Sequence, residues 1–293
     1  MTLRRPVLIV VTALLVVAVG LVVRNQYKVW HRRAEAQAER ERADAHARGL
    51  DIADSVLQSR GRLLEALQPV TLQNCDLARI GGPNDGGYLM CRNLLTGLQT
   101  AYSYGIGTED DWGCSVSVAY RVPVHQYDCF NPVKIQCKGG NLRLNPECVG
   151  ASPQTHDGRP FDTLANQIAR NKDTGKRMVV KMDVEGAEWD SILATPDDVL
   201  DRIDQLAMEL HGIDGPKPLE ALTRLKAHFH VLSLHFNNNA CSPRARPLPA
   251  SAYQVLLVNK RIGLVGPPKP GSPTPESLMA PDNADAPDCQ LKK

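Results

Sequence analysis

Two pairs of acid–base side chains follow apolar runs in this chain. Asp183 and Glu185 follow the run Met-Val-Val-Lys-Met, and Glu209 and His211 lie at the end of Gln-Leu-Ala-Met-Glu-Leu-His. Because one residue separates the members of each pair, an extended strand places both on the same face of a sheet. Carboxylates and an imidazole at neighbouring strand ends are groups that take a proton from a hydroxyl or bind a cation.

Two chemical roles are open for these side chains. His211 or Asp183 is the preferred general base for a hydroxyl nucleophile. Alternatively, Asp183, Glu185 and Glu209 hold a divalent cation, since Mg²⁺ favours oxygen ligands. A structural role is open as well, in which Glu185 and Glu188 cap and salt-bridge the start of a helix and His211 is a hydrogen-bonded core or loop residue.

A second feature is a glycine turn followed by an acid. Gly105 and Gly107 follow the stretch Ala-Tyr-Ser-Tyr, and Asp128 follows Val-His-Gln-Tyr. Glycine lets the backbone turn close to a ligand, and an acid after the next strand accepts hydrogen bonds from ribose hydroxyls. The acids at 109–111 oppose a pyrophosphate and favour S-adenosylmethionine over NAD or FAD. A plain tight turn and a capping role for Asp128 remain open.

Strand-like and helix-like runs alternate through the middle of the chain, which indicates an α/β domain with a mostly parallel sheet. No helix separates the last two strands, so one of them is expected to be antiparallel. Strands are predicted at 100–107, 122–128, 147–151, 178–184, 205–211, 230–236 and 253–259, and helices at 112–120, 161–170, 187–193 and 218–228.

Four motifs give the chain a resemblance to a known family. They are Arg79-Ile-Gly-Gly-Pro-Asn-Asp-Gly-Gly-Tyr88, Tyr102-Ser-Tyr-Gly-Ile-Gly107, Lys181-Met-Asp-Val-Glu-Gly-Ala-Glu-Trp189 and His235-Phe-Asn-Asn-Asn-Ala-Cys241. With them the chain resembles the FkbM-type S-adenosylmethionine-dependent methyltransferases, in a branch called methyltransferase-like proteins. The resemblance covers residues 72–262 and implies a Rossmann-like class I methyltransferase fold with a mostly parallel seven-stranded sheet. It also implies methyl transfer, most often to a hydroxyl oxygen, here of a small polar or glycan-like acceptor.

The resemblance implies roles in a cofactor site. Gly105 and Gly107 would line the methionine part of S-adenosylmethionine, and Asp128 would bind its ribose. Asp85 and Gly86 would form a loop near its amino-acid end, although a β-turn explains them equally well.

Other assignments from the sequence stay open. Asp157 is a candidate for contacting adenine, and the asparagines at 237–239 suit either a sugar-like acceptor or a turn. A catalytically inactive Rossmann-like binding module is the main alternative function. An NAD-dependent or nucleotide-sugar enzyme is a further one, disfavoured by the missing third glycine and the acidic turn.

The ends of the chain differ from the middle. An uncharged apolar run at 7–23 predicts a single transmembrane helix within an anchor at 1–28, with a secretory signal peptide as the alternative. The charges around it lean only slightly toward a cytoplasmic domain. A charged helical stalk is predicted at 29–71, amphipathic after Gly49 and packed there on the domain, and a disordered Pro-rich tail at 263–293. The net charge of +2 gives no indication of a nucleic-acid partner.

The eight cysteines allow two interpretations. An even number in a membrane-anchored domain favours disulfides and an oxidising compartment, with one bridge among Cys129, Cys137 and Cys148. Free thiols that pack as small hydrophobes are the alternative.

Overall fold

The computed structural model describes residues 52–289. The helices run over Asp54–Ala66 (α1), Asp111–Tyr120 (α2), Leu164–Arg170 (α3), Glu188–Ala194 (α4), Asp197–Leu200 (α5), Lys217–His228 (α6) and Pro275–Leu278 (α7). The strands run over Leu77–Gly81 (β1), Gly87–Cys91 (β2), Thr100–Tyr104 (β3), Pro123–Tyr127 (β4), Asn141–Asn145 (β5), Cys148–Val149 (β6), Gln154–His156 (β7), Arg159–Asp162 (β8), Met178–Met182 (β9), Ile203–His211 (β10), Phe229–Phe236 (β11) and Ala252–Asn259 (β12).

Seven strands form the central sheet, in the order β11-β12-β10-β9-β3-β4-β5. Strands β3, β4, β5, β9 and β10 are parallel, and β12 runs antiparallel to both β10 and β11. The predicted α/β class, the mostly parallel sheet and the antiparallel strand near the end are therefore confirmed. By order of appearance the five parallel strands stand as 3-2-1-4-5, as in doubly wound Rossmann-like sheets. The direction of winding reverses between β3 and β9.

The third strand of the sheet differs from the prediction at 147–151. It lies at Asn141–Asn145 and pairs with β4 at the edge of the sheet. Its Leu142 and Leu144 are only half-buried, so no apolar run marks it in the sequence. The chain that follows forms a small separate sheet of β6, β8 and β7, and the helix predicted at 161–170 begins only after it.

Both faces of the central sheet are covered by apolar side chains. On one face Tyr102 packs in a cluster with Leu222 of α6. On the other face Val179 packs with Trp112 of α2 and with Met90 of the β1–β2 hairpin. The strands are therefore held from both sides, while their carboxyl ends stay free to bind a ligand.

Helix α1 packs on the domain, as expected for the amphipathic end of the stalk. Leu63 and Leu67 are buried in the core, and Arg60 forms an ion pair with Asp214 at 2.7 Å. Within residues 52–289 no helix is both long and apolar enough to cross a bilayer. The span predicted at 7–23 lies outside the described residues, as does the part of the stalk before residue 52.

The C-terminal segment is held against the domain, which corrects the prediction of a disordered tail. Asp282 is 6% exposed, the Asn238 amide donates to the backbone carbonyl of Asn283 at 2.9 Å, and Cys289 is bonded to Cys241. Few large apolar residues occur after 263, so composition alone indicated disorder. Polar contacts and a disulfide hold the described part of this segment instead.

All eight cysteines form disulfides, which decides between the two interpretations of the sequence. The bridge expected among Cys129, Cys137 and Cys148 joins Cys129 to Cys148. The four bridges are Cys75–Cys91, Cys114–Cys137, Cys129–Cys148 and Cys241–Cys289. Disulfides of this number are typical of proteins in oxidising compartments.

Candidate functional site

A cavity of about 480 Å³ opens at the carboxyl ends of β3, β4 and β9. It lies where the winding of the sheet reverses, the place at which doubly wound sheets bind their ligands. The cavity brings together most of the predicted site residues: Asp85, Gly86, Gly105, Gly107, Asp128, Asp183 and Glu185. Five of its lining residues are carboxylates, Asp85, Glu109, Asp128, Asp183 and Glu185, and one is a lysine, Lys181.

The glycine turn and the acid after β4 are joined by a hydrogen bond. Asp128 accepts the backbone N–H of Gly107 at 3.0 Å through Oδ2, and those of Phe130 and Asn131 at 2.8 and 2.7 Å through Oδ1. Asp128 is buried and its carboxylate therefore fixes two ligand-facing loops at once. The capping alternative is thus correct in part, and Asp128 still lines the cavity.

The N-terminus of α2 is already occupied by an acid of the chain. Asp110 accepts the backbone N–H of Gly113 at 2.8 Å, together with the Ser103 hydroxyl at 3.1 Å and the Gln126 amide at 2.7 Å. A phosphate that bound this helix end would have to displace a buried carboxylate. The acidic turn therefore opposes a pyrophosphate at the place where a dinucleotide site needs one.

Asp183 lies at the floor of the cavity within a hydrogen-bonded group. Its Oδ2 accepts from the Tyr88 hydroxyl at 3.2 Å and lies 3.4 Å from the Lys181 ammonium. Lys181 also donates to the backbone carbonyl of Gly105 at 2.5 Å. Burial raises the pKa of Tyr88, as do the charges of Asp183 and Glu209, so its hydroxyl stays a donor. Asp183 keeps one oxygen free of these contacts.

His211 is fixed by Glu188 next to the cavity. Its Nδ1 lies 2.9 Å from Oε1 of Glu188, which is fully buried and also accepts the backbone N–H groups of Val184 and Gly186 at 3.0 and 2.9 Å. On the other side of the ring, Nε2 lies 3.4 Å from Glu185, whose side chain is 86% exposed. The structural role considered for Glu188 is therefore the one observed.

The surroundings of His211 favour its protonated form, which weighs against a role as general base. Burial lowers its pKa, but the hydrogen bond with Glu188 and the charges of Glu188, Glu185 and Glu209 outweigh burial and raise it to about 9. The ring is then an imidazolium at neutral pH. Asp183, Glu185 and His211 place ligand atoms within 4.8 Å of one another, and a cation bound there would displace the proton of His211.

Glu209 does not join Asp183 and Glu185 in the way predicted for a Mg²⁺ site. It groups instead with Asp85 of the β1–β2 loop and Asp282 of the C-terminal segment, within 4.8 Å. Burial raises the pKa of Glu209, and the charge of Asp183 raises it further. Burial, with the charges of Glu209 and Asp85, raises the pKa of Asp282 to about 7. Glu209 and Asp282 of this group are buried, whereas Asp85 is exposed and lines the cavity.

Comparison of the chain with known proteins found no matching family model, no similar curated protein and no similar solved structure. The side chains of the cavity are therefore the basis on which a function is assigned. Five carboxylates and one lysine among them favour a small ligand that has a positive charge.

Several residues of the site were missed by the sequence interpretation. Phe130, Val149 and Phe161 form an apolar wall of the cavity, and the Arg159 guanidinium lies 4.4 Å from the centre of the Phe130 ring. These residues come from loops and the small sheet, where no periodic pattern indicated them. Asp157, the adenine candidate, is exposed at the turn between β7 and β8 and does not line the cavity.

The asparagines at 237–239 form hydrogen bonds within the protein and do not line the cavity. Asn237 donates to Glu209 at 2.5 Å and accepts the backbone N–H of Asn239 at 2.8 Å. Asn238 is buried against the C-terminal segment. The turn is therefore the alternative that the structure supports.

Proposed function

We propose that the protein is an S-adenosylmethionine-dependent methyltransferase of the FkbM type with a class I methyltransferase fold. The observation that carries the proposal is the cavity at the winding reversal, where a glycine turn and Asp128 meet. The acceptor we propose is a hydroxyl group of a small polar or glycan-like molecule, because the carboxylates among the lining residues can accept its hydrogen bonds and its proton.

The charge of the cavity supports a sulfonium cofactor over a dinucleotide. Five carboxylates and one lysine line it, which favours a ligand whose reactive centre is positive. The buried Asp110 accepts the N–H of Gly113 in the first turn of α2 and places a negative charge at this helix end, which opposes a diphosphate there. The apolar wall of Phe130, Val149 and Phe161 suits a flat heteroaromatic base.

S-adenosylmethionine, when bound, supplies an activated methyl group for direct displacement at carbon. Gly105 and Gly107 would let the backbone approach the methionine part, and Asp128 would accept hydrogen bonds from the ribose. Asp183 takes the acceptor's proton through its free oxygen, while Tyr88 and Lys181 hold the other oxygen in place. The His211 imidazolium, fixed by Glu188, balances the negative charge of the neighbouring acids.

We propose that a single transmembrane helix at 7–23 anchors the protein in a membrane. The α/β domain would then lie in an oxidising compartment. Four disulfides support that side, whereas the basic residues around the apolar run lean slightly the other way. Since the disulfides are formed by every cysteine of the chain, we give them the greater weight.

The test is methyl transfer from S-adenosylmethionine labelled in its methyl group. The full chain, purified in a mild detergent, is incubated with a panel of sugars, glycans and other polyols, and product label is counted. Asp183→Asn is expected to lower turnover at least about 100-fold while it leaves cofactor binding within about twofold. Asp198→Asn, at an exposed position of α5, is the matched control.

The outcomes separate the candidate functions. Cofactor binding without transfer to any acceptor, in wild type and both variants alike, would favour the inactive binding module. Binding of NAD in preference to S-adenosylmethionine would favour a dehydrogenase-like or nucleotide-sugar enzyme. Undiminished transfer by Asp183→Asn would remove Asp183 from the role of base.

A further inference from the structure

Three carboxylates from separate parts of the chain meet beside the cavity. Asp85 comes from the loop between β1 and β2, Glu209 from β10, and Asp282 from the C-terminal segment. Each offers an oxygen within 4.8 Å of the other two. Glu209 and Asp282 are 3% and 6% exposed, so two of the three are removed from water.

The hydrogen bonds around these carboxylates are too few to satisfy them. Gln254 donates to Oδ1 of Asp282 at 2.7 Å and to Oε2 of Glu209 at 3.3 Å, and Asn237 donates to Oε1 of Glu209 at 2.5 Å. Oδ2 of Asp282 is buried and has no hydrogen-bond partner among the described residues. A buried carboxylate oxygen without a partner is costly, and it indicates a ligand that the chain alone does not supply.

Nearby positive charges do not fill this role. Arg79 is half-buried and within electrostatic range of Asp282, but its guanidinium donates to the backbone carbonyls of Gly82 and Asn84. His211 lies 3.8 Å from Glu209 and is bound on its other nitrogen by Glu188. Neither cation donates a hydrogen bond to Asp282.

We propose that Asp85, Glu209 and Asp282 bind a divalent metal cation. Three carboxylates are hard oxygen ligands of the kind that Mg²⁺, Mn²⁺ and Ca²⁺ take, and amide groups of Gln254 and Asn237 orient Glu209 from behind. Asp85 is exposed and also lines the cavity, so the cation enters from the cavity side and stands at its edge. The site shares Glu209 with the cation site predicted from the sequence, but it uses Asp85 and Asp282 in place of Asp183 and Glu185.

The C-terminal segment is fixed so that Asp282 stays in this position. The Asn84 amide donates to the carbonyl of Pro281 at 2.7 Å, one residue before Asp282. One residue after it, Asn283 donates its backbone N–H to Asn238 at 2.8 Å. The disulfide between Cys241 and Cys289 joins the end of this segment to the loop after β11. These contacts on both sides of Asp282 hold it at the proposed site.

Calorimetric titration of the metal-stripped full chain with Mn²⁺ tests the site. One equivalent is expected to bind, Asp85→Asn and Asp282→Asn are each expected to weaken it at least about tenfold, and Asp285→Asn is expected to change it less than about twofold. Asp85 and Asp285 are both exposed, so this pair removes the same charge without disturbing the core.

The same samples are titrated with S-adenosylmethionine, which keeps the two proposals separate. Mn²⁺ binding that depends on Asp85 and Asp282 supports the metal site even where S-adenosylmethionine does not bind. Absence of Mn²⁺ binding by folded wild-type protein, or equal affinity in wild type and both site variants, would overturn it whatever the cofactor result.

Discussion

The carbonyl oxygen of Asp183 stands only 1.6 Å from the position that a Cβ on Gly105 would occupy. Gly105 also has a φ of +69°, which L side chains rarely adopt. Gly105→Ala is therefore expected to lower the free energy of unfolding by about 3 kcal/mol and to abolish cofactor binding, because the turn and the end of β9 must separate. Urea unfolding and cofactor titration of the same preparation measure both effects.

Gly107→Ala is the matched control for that substitution. Its φ is +54°, but an added Cβ meets no atom within 4 Å. Gly107→Ala is expected to lower the free energy of unfolding by about 1 kcal/mol, from backbone strain alone. Equal losses in the two variants would show that the close approach of β3 and β9 is unimportant.

His125 predicts how stability depends on pH. Burial lowers the pKa of His125 below 6.5, and the positive charges of Arg143 and Lys176 lower it further. The carboxylate of Asp173, 3.2 Å away, opposes this shift. The ring of Tyr102 stacks on the imidazole. Below a pH of about 6.5, His125 takes up a proton in the unfolded chain but not in the folded one. The free energy of unfolding is therefore highest above this pH and decreases as the pH falls below it.

The measurement is the free energy of unfolding at about pH 7.5 and about pH 5. His125→Gln is expected to have a smaller difference between the two than wild type. His156→Gln, at a side chain that is 74% exposed, is expected to match wild type. A slope unchanged by His125→Gln would contradict the assignment.

The disulfides predict a thiol count. Protein unfolded without reductant is expected to show no reactive thiol, and reduced protein eight. The Cys129→Ser/Cys148→Ser variant is expected to lose about 3 kcal/mol of stability, since its bridge closes a loop of 19 residues. Eight reactive thiols in the unreduced protein would contradict the four disulfides.

The strand ends that form the cavity could be predicted from the sequence, whereas the edge strand and the C-terminal segment beside it could not. Apolar runs that end in Gly105, Asp128 and Asp183 are local signals, and the structure brings those residues to one edge. The edge strand at 141–145 carries a weak pattern because it is half-exposed. The contact of Glu209 with Asp282 depends on how the C-terminal segment returns to the sheet, and no local pattern contains that information.

The most direct test is calorimetric titration of the full chain with S-adenosylmethionine and its demethylated product. Wild type is expected to bind both at micromolar concentrations, Asp128→Ala is expected to lose at least about tenfold in affinity, and Asp157→Asn is expected to match wild type. Asp128 joins the glycine turn to the loop after β4, whereas Asp157 is exposed away from the cavity. Absence of binding by folded wild-type protein, or equal binding by Asp128→Ala, would contradict the assignment of a methyltransferase.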